Sequence, residues 1–255
     1  MPAMRRSKNA WQWGASGKHP VGKDYFRVGP EAPFLNAFSD WVENGYGKLN
    51  AERSSSRVYN SWRFWAKGAK KGCLLCGVGR DSSDSIGRPY PFLILGEGPL
   101  KGWENHWDLL PFAFEKIWAQ MEYLATGRFV DFRQMEDEVR GIGSPNPGWT
   151  DFESQRAQVP EQEPAFEEQY RWYCGQIESL KEKQEIFIPL KTGEPGAYPD
   201  SVNLLHFLLK KIHRGAVPNS VFMGGGPDRI SLAVFMRPLV PADFVRLWSV
   251  STEGN

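Results

Sequence analysis

The chain is poor in the residues that usually announce chemistry. Its 255 residues include three cysteines and four histidines. Cys73, Cys76 and Cys174 are an odd set that builds no disulfide framework. Cys73 and Cys76 form a C-x-x-C, but a zinc site would need a second pair or histidines at ligand spacing, and Cys174 alone does not supply it. Leu74, Leu75, Gly77 and Val78 around them read as a strand, whereas a redox dithiol opens a helix. Structural thiols are therefore expected. His19 falls in a loop, His106 near a helix start, and His206 and His213 on one helix about two turns apart, too far to share a metal without outside ligands. Satisfied surface histidines are the expectation. H-E-x-x-H and G-x-S-x-G are both missing, so zinc hydrolysis and serine acyl transfer have no motif behind them. No metal, no cofactor and no enzymatic activity are expected.

An excess of one charge is also lacking. The 31 basic residues face 30 acidic ones, a formal net charge of +1, which argues against nucleic-acid binding and against long-range attraction to anionic membranes. No apolar run reaches the ~18–20 residues that cross a bilayer, and the basic start, residues 1–9, has no apolar stretch behind it. A cytoplasmic protein without membrane insertion is expected. Two segments imitate phosphate loops without their mechanics. G-A-S-G-K-H (14–19) lacks the spacing and the Ser/Thr of a P-loop, and Gly224-Gly225-Gly226 leads into another strand rather than a helix N-terminus.

What is present is aromatic surface and mixed periodicity. Aromatic residues make up 14% of the chain, with 11 tryptophans, which serve cores and interfaces alike. The stretch 14–27 reads as a loop ending in a short strand over 25–28. A helix begins at Pro33, carries Phe34, Leu35, Phe38, Trp41 and Val42 on one face, and stops at Gly45. Strands are predicted over 62–65, 74–78 and 90–95, with a turn over 67–72. Residues 105–124 give the clearest helix, followed by a charged, exposed one over 131–140. Residues 141–170, rich in proline and glycine, read as a long connection or mobile insertion, with helix resuming over 166–180. A strand over 186–190, a helix capped by Asp200 or Ser201, a hairpin over 220–236 and a last helix from Pro241 complete the pattern. These elements predict an α+β fold, a mixed α/β sandwich with a largely antiparallel central sheet and helices packed on its faces. The expected organisation is one domain over 1–255: a motif-bearing core (11–140), the connection (141–170) and a C-terminal part (171–250) that completes the fold.

The densest signal is D-S-S-D-S-I-G-R-P-Y-P-F (81–92), a polar excursion between two strands. Two readings stay open for it: a hydrogen-bonded turn in which Asp84 caps backbone N–H groups and pairs with Arg88, or a surface built to touch something. Acids and bases recur in other short segments: Lys18, Lys23, Asp24 and Arg27, then Arg63, then Asp81, Asp84 and Arg88. Brought together by the sheet, they would make a mixed-charge patch suited to protein recognition.

In this order and spacing, G-K-H-P…D-Y-F-R (17–27), a helix bearing Trp41, W-R-F-W (62–65) and S-D-S-I-G-R-P-Y-P-F (83–92) resemble TagF, a family of type VI secretion-associated proteins. Its signature is approximately G-K-x-P-x-x-G-D-F…W-R-F…P-S-x-D-x-x-G-R-x-F-P-L. The likeness is strong over about residues 11–130 and weaker beyond. Departures are Val21-Gly22-Lys23 before the aspartate and Val221-Phe222 where a Trp pair is expected. The resemblance implies a bacterial cytoplasmic accessory protein that represses type VI secretion after translation by protein–protein contact, with a forkhead-associated-domain scaffold protein as partner. By position it singles out Lys18, Asp24, Arg63, Asp84 and Arg88 as candidate binding residues, and Gly17, Pro20, Trp62, Gly87 and Pro91 as structural ones. The competing classes are an enzyme or small-ligand module with an Asp84/Arg88 pocket, and a passive subunit of the secretion apparatus.

Overall fold

The computed structural model describes residues 11–52, 59–156, 164–190, 197–227 and 229–249. The basic start at 1–9, part of the expected 141–170 connection (157–163) and Asp228 of the hairpin tip lie outside the described residues. In chain order the elements are β1 (Gln12–Gly17), β2 (Phe26–Val28), α1 (Pro33–Glu52), β3 (Ser61–Lys67), β4 (Cys73–Arg80), β5 (Phe92–Pro99), α2 (Leu110–Thr126), α3 (Phe132–Arg140), α4 (Trp149–Arg156), α5 (Pro164–Glu178), α6 (Leu180–Lys183), β6 (Glu185–Pro189), α7 (Ala197–Ile212), β7 (Ser220–Gly226), β8 (Arg229–Phe235) and α8 (Pro241–Ser249). Among the described residues the strands form one sheet of order β2-β1-β5-β4-β3-β7-β8-β6, antiparallel at every pairing. The fold is α+β. Strands from the two ends of the chain meet in the middle of the sheet, where Phe64 of β3 stands opposite Phe222 of β7.

Strand alternation divides the core in two. Trp65, Leu74, Cys76, Val78, Ile94, Val221, Met223, Leu232 and Val234 point to one face, under α2, α5 and α7. Their neighbours Trp62, Phe64, Leu75, Leu93, Leu95, Phe222, Ala233 and Phe235 point to the other, under α1 and α8. Because residues i and i+2 share a face, a strand apolar at every position is buried on both sides, and helices must cover both.

Several local expectations are corrected. Residues 14–17 are not loop but part of β1, paired with both β2 and β5. Glycines within the sheet are contact points. A Cβ on Gly96 would meet the Trp13 ring at 2.0 Å, and one on Gly98 would meet Trp11 at 2.5 Å. Helix α1 runs past Gly45 to Glu52. A Cβ at Gly45 would lie 2.4 Å from Cβ of Phe244, so this glycine lets α8 approach rather than ending the helix. Two 3-10 turns, Trp103–Asn105 and Trp107–Leu109, precede α2, which starts at Leu110 with Pro111 in its first turn. Helix α3 keeps a charged outer side but buries Met135 and Val139. The expected irregular connection contains α4, held by Trp149, whose indole donates to the Lys101 carbonyl at 2.9 Å and stacks on His106. Helix α7 begins at Ala197, a turn before the expected cap. Among the described residues no helix is long and apolar enough to cross a membrane.

Candidate functional site

The 81–91 segment joins β4 to β5 as a turn closed on its own aspartate. The Gly87 N–H donates to the Asp84 carbonyl at 2.9 Å, and the Asp84 N–H to the Arg88 carbonyl at 3.2 Å. Gly87 has φ +84° with open space around it, the left-handed conformation that glycine adopts without Cβ strain. The Asp84 side chain is fully buried and accepts from four donors. Its Oδ1 takes the N–H groups of Ile86 (3.2 Å) and Arg88 (2.9 Å). Its Oδ2 takes Arg88 Nε at 2.7 Å and faces Lys18 Nζ at 3.3 Å. Burial pushes the carboxyl pKa up, but the donors of Arg88, Lys18 and Ile86 outweigh it and hold it down at about 2.

Lys18 belongs to the chain leaving β1, and that stretch is tied to the turn at further points. The Ser85 N–H donates to the Gly22 carbonyl at 2.8 Å. The Arg88 guanidinium donates to the Lys23 carbonyl and lies 3.5 Å from Asp24. Lys18, Asp24, Asp84 and Arg88 thus stand together, with Asp84 at the centre and Arg88 half exposed above it. Arg63 is elsewhere. It projects from mid-β3 to α2, where it holds Glu122 with two bonds (2.7 and 2.8 Å) and Glu115 at 2.9 Å. The single mixed-charge patch expected from the sequence therefore loses Arg63, whose position on the strand aims it at α2 and not at the loops.

Of the remaining motif positions, Gly17 and Pro91 meet beside the turn and Trp62 lies in the core. Gly17 has φ +124°, and a Cβ there would lie 2.1 Å from the Pro91 carbonyl oxygen, so β1 and the return into β5 touch backbone to backbone. Trp62 is buried in the core under α1 and α8. Pro20 is exposed, next to His19.

The histidine expectation is half corrected. His19 and His206 are buried, because each sits beside large aromatics and its polar atoms find partners inside. His19 Nδ1 accepts from the Val21 N–H at 3.2 Å, and the ring also bonds the Gly127 backbone. Burial, then the Arg80 charge, lowers its pKa to about 4. His206 Nε2 accepts from the Trp65 indole at 3.1 Å while Nδ1 donates to the Val202 carbonyl at 2.8 Å. Burial lowers its pKa to about 4 as well. Both rings are neutral spacers near neutral pH. Among the described residues no group of three or more histidines, cysteines and carboxylates could hold a metal.

The apolar rim around the cluster left no sign in the sequence. Ile86, 64% exposed, tops the turn. Tyr25 stands edge-on to Tyr90, and Phe132 packs over Gly22 and against Phe26. Val130, two residues before Phe132 in the chain, is 92% exposed. Isoleucine and valine read as core in any periodicity count, so only the folded surface identifies them as outward.

Residues 14–141, half of the chain, match the family model described as the TagF N-terminal domain, type VI secretion system-associated. No curated protein matches the chain. Among solved structures it is similar to the crystal structure of PA0076 from Pseudomonas aeruginosa PAO1, at 22% identity and a TM-score of 0.43, over 52% of this chain and 63% of that one. The likeness spans less than two thirds of that protein's length.

Proposed function

This chain belongs to the TagF family of type VI secretion-associated proteins, and from that membership we propose that it is a cytoplasmic, non-enzymatic regulator that represses type VI secretion after translation by protein contact. Its proposed partner is a forkhead-associated-domain scaffold protein of the same machinery. The proposed contact surface is the turn at 81–91 with the stretch from Lys18 to Tyr25. One observation carries this reading: motif residues from two separated stretches converge on one patch whose rim exposes Ile86 and Tyr25. Exposed apolar side chains beside paired charges suit a protein contact, with the charges setting register.

Contact is favoured over chemistry by the state of Asp84. A general base needs a free lone pair and a pKa near the working pH. This carboxylate is saturated by four donors and held at about 2, which suits an anchor for the turn. We take residues 1–255 as one domain in which the part after 170 completes the sheet.

The test uses the full-length chain as bait for the purified forkhead-associated scaffold protein of its host, with secretion measured in parallel. The wild type should capture the scaffold and repress secretion. Ile86→Asp and Arg88→Ala should lose both while remaining folded, Ile86→Asp at the wild-type melting temperature and Arg88→Ala modestly below it. Wild-type binding by both folded variants would remove this surface from the proposal, and failure of the wild type to bind would remove the partner.

A further inference from the structure

Beside the motif turn, lined by its residues Asp81, Ser82 and Ser83 and not by Ile86, lies a cleft of about 540 Å³, within the range that holds small ligands. We infer that this cleft binds a small molecule through a phosphoryl group, held by Arg80 and Arg128 with the hydroxyls of Ser82 and Ser83.

The argument is one of unmatched donors. Arg80 stands at the end of β4 and Arg128 just beyond α2, and both line the cleft. Among the described residues neither forms an ion pair, whereas Arg63, Arg88, Arg140, Arg156, Arg237 and Arg246 all do. Arg80 makes one weak bond, from Nε to the Asp81 carbonyl at 3.4 Å. Its charge reaches His19 strongly enough to help suppress protonation of that ring. Asp81 also lines the cleft, but its carboxylate is committed elsewhere. Oδ1 accepts from the Trp248 indole at 2.9 Å and Oδ2 from the Asn60 N–H at 2.9 Å. The Ser82 and Ser83 hydroxyls make no hydrogen bond among the described residues. Two guanidinium groups against one engaged carboxylate leave the cleft a net cation.

Rigid walls make this more than a dent in the surface. His19 ties the Lys18 stretch to Gly127. Thr126 hydrogen-bonds the Glu122 carbonyl at 2.9 Å, closing the end of α2. The rings of Tyr59 and Phe129 face the same space and offer apolar surface to a flat group attached to the phosphate. Guanidinium forks match phosphate oxygens bidentately, and a phosphoryl group brings three acceptor oxygens to two guanidinium groups and two hydroxyls, where a carboxylate brings two and a halide has no fork to match. The cleft and the proposed contact surface share the 81–91 turn and residues 19–21, but this inference stands on the cleft alone.

The test is calorimetric titration of the full-length protein with inorganic phosphate, AMP and adenosine. AMP should bind saturably and adenosine should not. Arg128→Ala and Arg80→Gln should each weaken AMP about tenfold or more, the loss of one charge-assisted contact, with unchanged melting temperature. Arg128 is exposed, so its removal does not threaten the fold. Phosphate binding as tightly as AMP would support the phosphoryl site and limit recognition to that group. Binding of adenosine equal to AMP, binding unaffected by Arg128→Ala, or no saturable heat with either phosphate compound would overturn the inference.

Discussion

Arg88 grips Asp84 twice, through Nε to Oδ2 at 2.7 Å and through its own backbone N–H to Oδ1 at 2.9 Å. The two are four residues apart, so the pair closes a ring that shapes the turn from within. Arg88→Ala deletes only the side-chain half, while Asp84→Ala strips the acceptor from both and leaves Lys18 facing a void. Asp84→Ala should therefore lower the urea midpoint clearly more than Arg88→Ala. Equal losses would mean that the ion pair, and not the backbone capping, holds the turn.

Gly17 and Gly87 both carry positive φ, but their surroundings differ. At Gly87 nothing lies within 4 Å of an added Cβ, so Gly87→Ala should cost about 1–2 kcal/mol of stability, the backbone strain alone. At Gly17 the added Cβ would collide with the Pro91 carbonyl at 2.1 Å. Gly17→Ala should be markedly more destabilising, with β1 separating from β5. Urea unfolding of the two variants checks the order.

Acid should act in two windows. His19 and His206 fall from 6.5 in the unfolded chain to about 4 in the fold, so the unfolded chain binds protons first. Stability should rise with pH between about 4 and 6.5 and be lost on acidification through that range, by about 3 kcal/mol for each ring. Asp84 acts lower. Its contribution is complete above 3.8 and disappears as pH falls through about 2. Urea midpoints between pH 4 and 7 should follow a flatter line in His206→Gln than in wild type. Parallel lines would show that this ring does not titrate on unfolding.

Arg63 stands apart from the motif cluster. Arg63→Ala should cost at least about 1 kcal/mol, because its carboxylate partners face solvent while the arginine itself is mostly covered, and leave capture of the scaffold unchanged. Loss of capture by a variant with normal stability would extend the contact surface across to the α2 side.

Cys73 and Cys76 are three apart on β4, so their side chains leave opposite faces of the sheet. Burial pushes the Cys76 thiol well up, while Cys73 and Cys174 are partly accessible. A thiol reagent should modify Cys73 and Cys174 with Cys76 protected until unfolding, and zinc should not raise the melting temperature. Rapid modification of all three would contradict a closed β4.

Much of the fold was legible because it rests on short-range rules. The β3–β4 and β7–β8 pairs follow from apolar runs broken by glycine turns, and the stripe from Leu110 to Leu124 marks its helix by period alone. Elements were misread where glycine served packing. Gly14 gives room to Leu35 and Gly45 to Phe244, and a residue chosen for a distant neighbour carries no local sign of it. The capping of Asp84 was one of two readings that the motif allowed. The convergence of Lys18 and Asp24 upon it was only conditional, because it depends on β1 pairing with β5.

By itself the sequence determined the α+β class, the antiparallel pattern and the family motifs, since alternation, turn chemistry and residue order are properties of the string. Tertiary structure alone decided that Lys18 meets Asp84, that Arg63 turns to α2, that His19 and His206 are buried and neutral, and that Arg80 and Arg128 share a cleft. Those outcomes depend on which strands become neighbours and which face each side chain leaves. Pairing at long separation is selected by the summed burial of the whole sheet, a quantity that no local window contains.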